Sequence, residues 1–206
     1  MPLPRFEKLP EDKRRAILHA AAEEFSEHGF DGASFNRIID AAGISKGAMY
    51  YYFADKADAY GAVLDDVLAR MWAIVEDIEE PTDAEGFWRW MEIANARTNA
   101  AFLEDPELGA LARQFYRSGD ADPVYRRLMA QAREWLMKVL ADGQALGAIR
   151  DDLPLEMLAE AAMGLGSAMD RWFADVLEDR PVEEVRPLMA KALELTRDLL
   201  EDKARR

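Results

Sequence analysis

Apolar positions along this chain recur at three- and four-residue intervals, and no stretch alternates strictly with polar residues between turn signals. That is the period of a helix buried on one face. The first such run follows Pro10-Glu11-Asp12, whose acids complement a helix N-terminus, and carries Ile17, Leu18, Ala21, Ala22 and Phe25 before Gly29. After the link 30–33, Ser34 is suited to cap a short second helix to Ala42 that stops at Gly43, and Ser45 a third through Tyr51. Asp55 opens a long fourth helix with Ala59, Val63, Val67, Met71, Ile74 and Val75 inward, closed at 80–83. Further helices are expected over 84–103, from Pro106, and over 124–145, 155–177 and 185–203, with loops at 118–123, 147–154 and 179–181. The pattern predicts an all-α fold of about nine helices. It divides into three short N-terminal helices (1–54) and a larger helical bundle (55–206).

Composition agrees. Ala occurs 35 times, against 19 for Val, Ile and Thr together, and Ala loses no rotamer freedom in a helix, whereas β-branched residues do. Half of the 206 residues are apolar, enough for a real core. There is no Cys, which excludes disulfides, thiolate zinc sites and thiol nucleophiles and fits a reducing cytoplasm. His19 and His28 share no i, i+4 face, so they build no metal site alone; His28, beside Gly29, reads as a partner of the helix C-terminal dipole. Glu79-Glu80, Asp151-Asp152 and Glu183-Glu184 fall at helix ends and turns, where they read as solvated caps and not as an acid/base pair. No catalytic set or cofactor motif results, and an enzyme is not expected. No apolar run is long enough for a membrane span, and Met1–Arg5 lacks the apolar stretch of a signal peptide.

The net charge of −14 at first opposes a nucleic-acid partner. Its distribution does not. Residues 1–58 hold 8 basic and 10 acidic side chains, and residues 59–206 hold 18 and 30. Between Ser34 and Lys56 the basic side chains Arg37, Lys46 and Lys56 outnumber Asp40 and Asp55. The acid belongs to the bundle, and beyond a screening length of about 8 Å it acts only weakly.

The 34–56 stretch carries the chemistry. Two short helices flank Gly43-Ile44-Ser45, a turn that needs the positive φ glycine tolerates. Ile38, Ala42, Ile44 and Met49 sit where those helices would pack. The outward face of the third helix then shows Ser45, Lys46, Gly47, Ala48, Tyr50 and Tyr51. Small residues permit close backbone approach to a major groove, Lys46 reaches a base edge or phosphate, and the tyrosines meet phosphates or a thymine methyl. Ser34, Asn36 and Arg37 on the second helix and Lys56 at the fourth complete the candidate DNA-binding set, with N–H groups near Ser34 and Asp55 available to phosphates. Arg5 and Lys8 precede the first helix in what reads as a disordered tail.

Ser34, Ile38, Ala42-Gly43-Ile44-Ser45, Lys46-Gly47, Tyr50, Phe53 and Lys56, with Phe25, His28, Gly29 and Phe30 before them, resemble the helix-turn-helix signature of the tetracycline-repressor (TetR) family. The resemblance is strong over about residues 10–68; beyond them only the length, the helix count and the 147–152 turn are family-like. Two positions depart: Ile39 stands where the family usually has Ala, and Ala57-Asp58-Ala59-Tyr60 replaces an acid followed by Leu. The resemblance implies a cytoplasmic transcriptional repressor that binds double-stranded palindromic operator DNA as a homodimer. It also implies release by a small, largely apolar effector of unknown identity held in the bundle.

The bundle residues fit that expectation. Aromatic and Met-rich helices suggest a cavity lined by Trp88, Met91, Asn95, Asn99, Phe102, Phe115, Tyr116, Trp135, Met169 and Trp172, with Arg113, Gln114 and Asp170 as further polar candidates. Leu158, Ala162, Leu165, Met169 and Phe173 on the penultimate helix, and Leu188, Ala192, Leu195 and Leu199 on the last, are the candidate dimer interface. A two-fold dimer places its recognition helices roughly 34–36 Å apart. The rival readings are a helical protein-interaction module without DNA binding and an enzyme with an apolar pocket.

Overall fold

The computed structural model describes residues 2–118 and 123–201. They form nine helices and no strand: α1 (Glu11–Gly32), α2 (Phe35–Ala41), α3 (Lys46–Tyr52), α4 (Lys56–Glu76), α5 (Ala84–Glu104), α6 (Pro106–Ser118), α7 (Pro123–Ala145), α8 (Leu155–Asp179) and α9 (Val182–Leu200). Their boundaries fall within a few residues of the sequence pattern. The last starts three residues earlier than expected, immediately after Pro181, which serves as its N-cap residue. The expected loop at 118–123 lies largely outside the described residues. No described helix is long and apolar enough to cross a membrane.

Two compact units emerge: Met1–Trp72 with Asp105–Phe115, and Ala73–Glu104 with Tyr116–Arg206. The first seventeen residues of α4 belong to the first unit, because Ala59, Tyr60, Ala62, Val63 and Leu64 are buried in its core with Ile17 and Phe25 of α1. Tyr60, whose place was open in the sequence, is 1% exposed and meets the rings of Phe25 at 5.0 Å and Phe30 at 5.2 Å. Ile39 is buried with Ile38 and Met49.

α1 breaks at Gly29, as expected: that residue takes φ 65° and ψ 173°, outside the helical range, and a separate short turn follows, in which Ala33 donates its N–H to the Gly29 carbonyl. The side chain of Gln114, from the α6 part of the same unit, fills the space beside it; a Cβ at Gly29 would lie 2.9 Å from Gln114 Oε1.

In the second unit α8 packs on α7 and α9, and α9 on α5. Its core joins Phe87, Trp88, Leu140, Ile149, Leu158, Ala159, Ala162 and Leu200. A Cβ at Gly143 would lie 2.5 Å from Ile149 Cγ1 and 2.9 Å from the Phe87 ring, so only glycine lets these two side chains close over α7. The core corrects part of the expected dimer face. Leu158 is 1% and Ala162 8% exposed, both spent inside their own unit. The sequence shows these positions as one apolar stripe, but α8 has two apolar faces. One, with Leu158, Ala159 and Ala162, turns inward; the other, with Met157, Ala161 and Trp172, stays exposed.

Candidate functional site

The helix-turn-helix is fixed by its own backbone. Ser34 Oγ accepts from Arg37 N at 3.4 Å and Ser45 Oγ from Ala48 N at 3.1 Å, so both serines cap as expected. At the end of α2, Ile44 N donates to Ile39 O and Gly43 N to Asp40 O, both at 3.2 Å, with Gly43 at φ 64°. This is a Schellman closure, which needs a residue in the left-handed region. Met49 and Ile38 are fully buried at the helix crossing.

What remains outward is the expected face. Ser45, Lys46, Gly47, Tyr50 and Tyr51 are exposed and Ala48 half-buried. Tyr50 packs edge-on against Phe35 at 5.4 Å and Tyr51 against Tyr52 at 5.6 Å. The rings are held upright by aromatic neighbours, yet remain 49% and 50% exposed. Asn36 is exposed on α2.

Arg37 and Lys56 differ from the free cations the sequence suggests. Arg37 Nε donates to both Glu24 oxygens at 2.9 Å, and its Nη2 to Glu24 Oε1 at 2.6 Å and to the Gly32 carbonyl at 2.9 Å. Glu24 is 8% exposed and also accepts from Ser34 N at 2.6 Å. Burial alone would raise its carboxyl; the Arg37 hydrogen bonds, the Ser34 N–H and the charges of Arg37 and His28 outweigh burial and hold it below the usual carboxylate range. Thus the Ser34 N–H is taken internally, and His28, in the last turn before the Gly29 break, also lies 3.7 Å from Glu24 Oε2 and joins this cluster. Lys56 Nζ donates to the carbonyls of Asp31 and Ala33 at 3.2 and 3.1 Å and lies over the Phe30 ring. It satisfies carbonyls that follow the Gly29 kink. At the start of α4, Asp55 Oδ1 accepts from Asp58 N and Asp58 Oδ2 from Ala54 N, so these N–H groups too have internal acceptors.

The expected disordered tail is ordered. Phe6 is 2% exposed against Phe53 and Tyr52, Leu3 N donates to Tyr52 O at 2.9 Å, and the Arg5 guanidinium lies 4.2 Å from the centre of the Tyr51 ring. The signal was present in the sequence: Phe6, with Leu3 and Leu9 either side of it, gives the leader apolar side chains to bury. A second grouping joins residues far apart in sequence: His19, Glu23 and Glu107 bring ligand-type atoms within 4.8 Å of one another. Burial, followed by smaller contributions from Asp105 and Glu23 opposed by His19 and Arg70, raises the Glu107 carboxyl.

The second unit holds a cavity of about 240 Å³. Trp88, Met91, Tyr116 and Asp170 line it, as expected. Asn95, Asn99, Phe102, Trp135, Met169 and Trp172 do not border it, and Phe115 belongs to the other unit. The reason is depth along the helices. Only the first two turns of α5 reach the cavity, and on α8 the lining comes from Ala162, Met163, Gly166, Ser167 and Asp170. Met169 and Trp172 lie off that face, and Trp172 is 46% exposed. Met129, Leu136 and Thr196 also line the cavity and were not singled out by the sequence pattern. Of the further polar candidates, Arg113 and Gln114 belong to the first unit.

The outward faces of α8 and α9 keep Met157 (58%), Trp172 (46%) and Leu195 (56%) exposed. Leu165, Met169 and Phe173 on α8 are half-buried, as are Leu188, Ala192 and Leu199 on α9.

The model of the bacterial regulatory proteins, tetR family, matches residues 17–63. The HTH-type transcriptional repressor AcnR of Corynebacterium glutamicum is 28% identical over 156 residues, 72% of this chain and 75% of its own. A putative tetR family transcription regulator from Shewanella sp. PV-4 has a TM-score of 0.72 at 19% identity, over 93% of this chain and 99% of that one. The transcriptional regulator FadR from Bacillus subtilis, solved with stearoyl-CoA, has a TM-score of 0.70 at 17% identity, over 87% and 96%.

Proposed function

We propose, for a chain that belongs to the TetR family of DNA-binding transcriptional regulators and not to an enzyme family, that it is a repressor released by a small, largely apolar effector. One observation carries the reading: α3 presents a nearly side-chain-free outward face, with Lys46, Gly47, Tyr50 and Tyr51 exposed, on a turn whose backbone is fully closed. Residues 1–54 read the operator, and the remainder holds the effector and the dimer contacts. Ser45, Lys46, Gly47, Ala48, Tyr50 and Tyr51 make the groove contacts. Ser34 and Asn36 flank them, while Arg37 and Lys56 act by fixing α2 and the end of α1.

The exposed apolar faces of α8 and α9 support a homodimer, since Met157, Trp172 and Leu195 need a cover. A two-fold pair would read two half-sites of a palindrome roughly one DNA turn apart. The apolar cavity supports an effector site, and a relative of this fold was solved with stearoyl-CoA. Effector binding would favour a dimer whose α3 helices no longer match the half-site spacing. α4 and α6 each contribute residues to both units; α6 places Gln114 beside Gly29 and, two residues on, Tyr116 at the cavity.

A gel shift with DNA from the promoter region upstream of its own gene checks the reading. A discrete complex on a palindromic sequence, retained at physiological salt and lost with Lys46→Ala, is expected. No complex on any candidate operator at low salt would instead favour a helical protein-interaction module.

A further inference from the structure

The cavity wall is mostly apolar, and Asp170 is the charged residue among those that line it. Asp170 lines the cavity and remains solvent-exposed, which places its carboxylate at the mouth. Its hydrogen-bond partner among the described residues is the Tyr116 hydroxyl, which donates at 2.6 Å. A carboxylate offers about four lone-pair positions, so one neutral donor leaves most of its accepting capacity open. Although the residue keeps one side to solvent, the wall around its carboxyl raises it above the ordinary carboxylate range, and the Tyr116 bond offsets only part of that, as for a negative charge short of counter-charge.

Deeper in the wall, Trp88 is 3% exposed, and its indole Nε1 finds no acceptor among the described residues. A buried donor left unmade is costly. The cation nearest this ring is Arg197, 5.0 Å from its centre, and that guanidinium is already paired with Glu201 at 3.1 Å.

The geometry points to an effector that is an alkylamine with an aromatic or alicyclic body and a hydrogen-bond acceptor. Its cation would sit on Asp170 at the mouth and its apolar body among Phe87, Met91, Leu136 and Met163; its acceptor would meet Trp88 Nε1, which the wall covers, once a lining side chain turns aside. At about 240 Å³ the cavity is smaller than the roughly 300–1,000 Å³ of ordinary small-molecule sites. A compact ligand fits it, and the lone carboxylate disfavours fatty acids and other anions. This inference rests on the reading of the cavity as the effector site.

Four probes separate the elements. 4-Phenoxybutylamine, 4-phenoxybutanol and 4-phenoxybutyrate share one body with a cation, a neutral group or an anion; 5-phenylpentylamine replaces the ether oxygen with a methylene. Calorimetry on the full chain should find the phenoxy amine about tenfold or more tighter than the alcohol, and the butyrate weakest. In Asp170→Asn, with an unchanged circular dichroism spectrum, the amine and the alcohol should converge. In Trp88→Phe the advantage of the ether over the methylene should vanish. Equal binding of all three head groups, tightest binding of the butyrate, an amine preference that survives Asp170→Asn, or no binding of any probe at millimolar concentration would each overturn the inference. Operator binding is scored apart, by gel shift without ligand. Its failure would overturn the regulator reading and leave a measured amine preference standing.

Discussion

The two units use their polar residues in opposite ways. In the first, charge is spent on construction: Arg37 closes on Glu24, Lys56 on two carbonyls and Asp55 with Asp58 on the start of α4. The surface left for a partner is small and nearly neutral, with Lys46 and two tyrosines. In the second unit the apolar frame is closed by packing, and the polar groups at the cavity, Asp170 and Trp88 Nε1, are left with unused capacity. A face that must lie flat in a groove needs a rigid support beneath it. A cavity that must sense a ligand needs bonds still to be made.

The largest expected effect breaks both regions together. Trp172→Glu with Leu195→Glu places charge on the exposed apolar faces of α8 and α9. Sedimentation should show a monomer with native helicity. Operator affinity should fall by about 10²- to 10⁴-fold, because two linked half-sites gain that much from simultaneous engagement. A variant that stays dimeric would remove the interface from these two helices.

Next come changes confined to the reading face. Lys46→Ala and Tyr51→Ala should each weaken binding by about tenfold to a hundredfold for each half-site, since one groove or phosphate contact contributes about 1–3 kcal/mol. The melting temperature should stay unchanged in Lys46→Ala, because Lys46 is exposed, and fall only slightly in Tyr51→Ala, whose half-exposed ring gives up its contacts with Tyr52 and Arg5. Ligand affinity, measured by calorimetry, should also be untouched. The nearly neutral face further implies weak binding to random DNA at physiological salt, and tight non-specific binding would contradict it.

These contrasts explain what could be read from the sequence. The helix-turn-helix was legible because its determinants are local: a serine at each N-cap, Gly43 two residues after the end of α2, and Ile38 and Met49 at the crossing. The Arg37–Glu24 clamp joins positions thirteen apart on two helices, and Lys56 reaches back twenty-three residues to Ala33. No periodicity announces such pairs, so both cations looked free. The cavity was harder still. Five helices contribute to it, and the depth each reaches decides the lining; hence Trp88 belongs to it, while Asn95, seven residues on along the same stripe of α5, does not. Leu158 and Ala162 show the same limit, since an apolar stripe does not say which neighbour it meets.

Glu24→Gln sharpens the construction side. Losing a charge-assisted cluster should lower the melting temperature by about 2–4 °C. The carboxyl lies below its ordinary value of 4.5 when folded. Its contribution is therefore fully present above that value and is lost as the pH falls through the depressed folded one. Melting curves taken downward from neutral pH should show the wild-type advantage shrinking at the acid end. An advantage that grows with acid would reverse the assigned sign.

The smallest effect is the most discriminating. If Lys56 clamps a phosphate, Lys56→Ala should weaken binding to all sequences alike and reduce the salt slope by about one unit for each protomer. Its Nζ already rests on the Asp31 and Ala33 carbonyls and over the Phe30 ring. We therefore expect a loss of less than about 2 °C in melting temperature, from carbonyls left to water, and an unchanged salt slope. Lys56→Met, which keeps an apolar stem over Phe30 but not the ammonium, should show the same slope as the wild type. A reduced slope in both variants would return Lys56 to the DNA surface and make its carbonyl contacts a resting place that operator phosphates compete for.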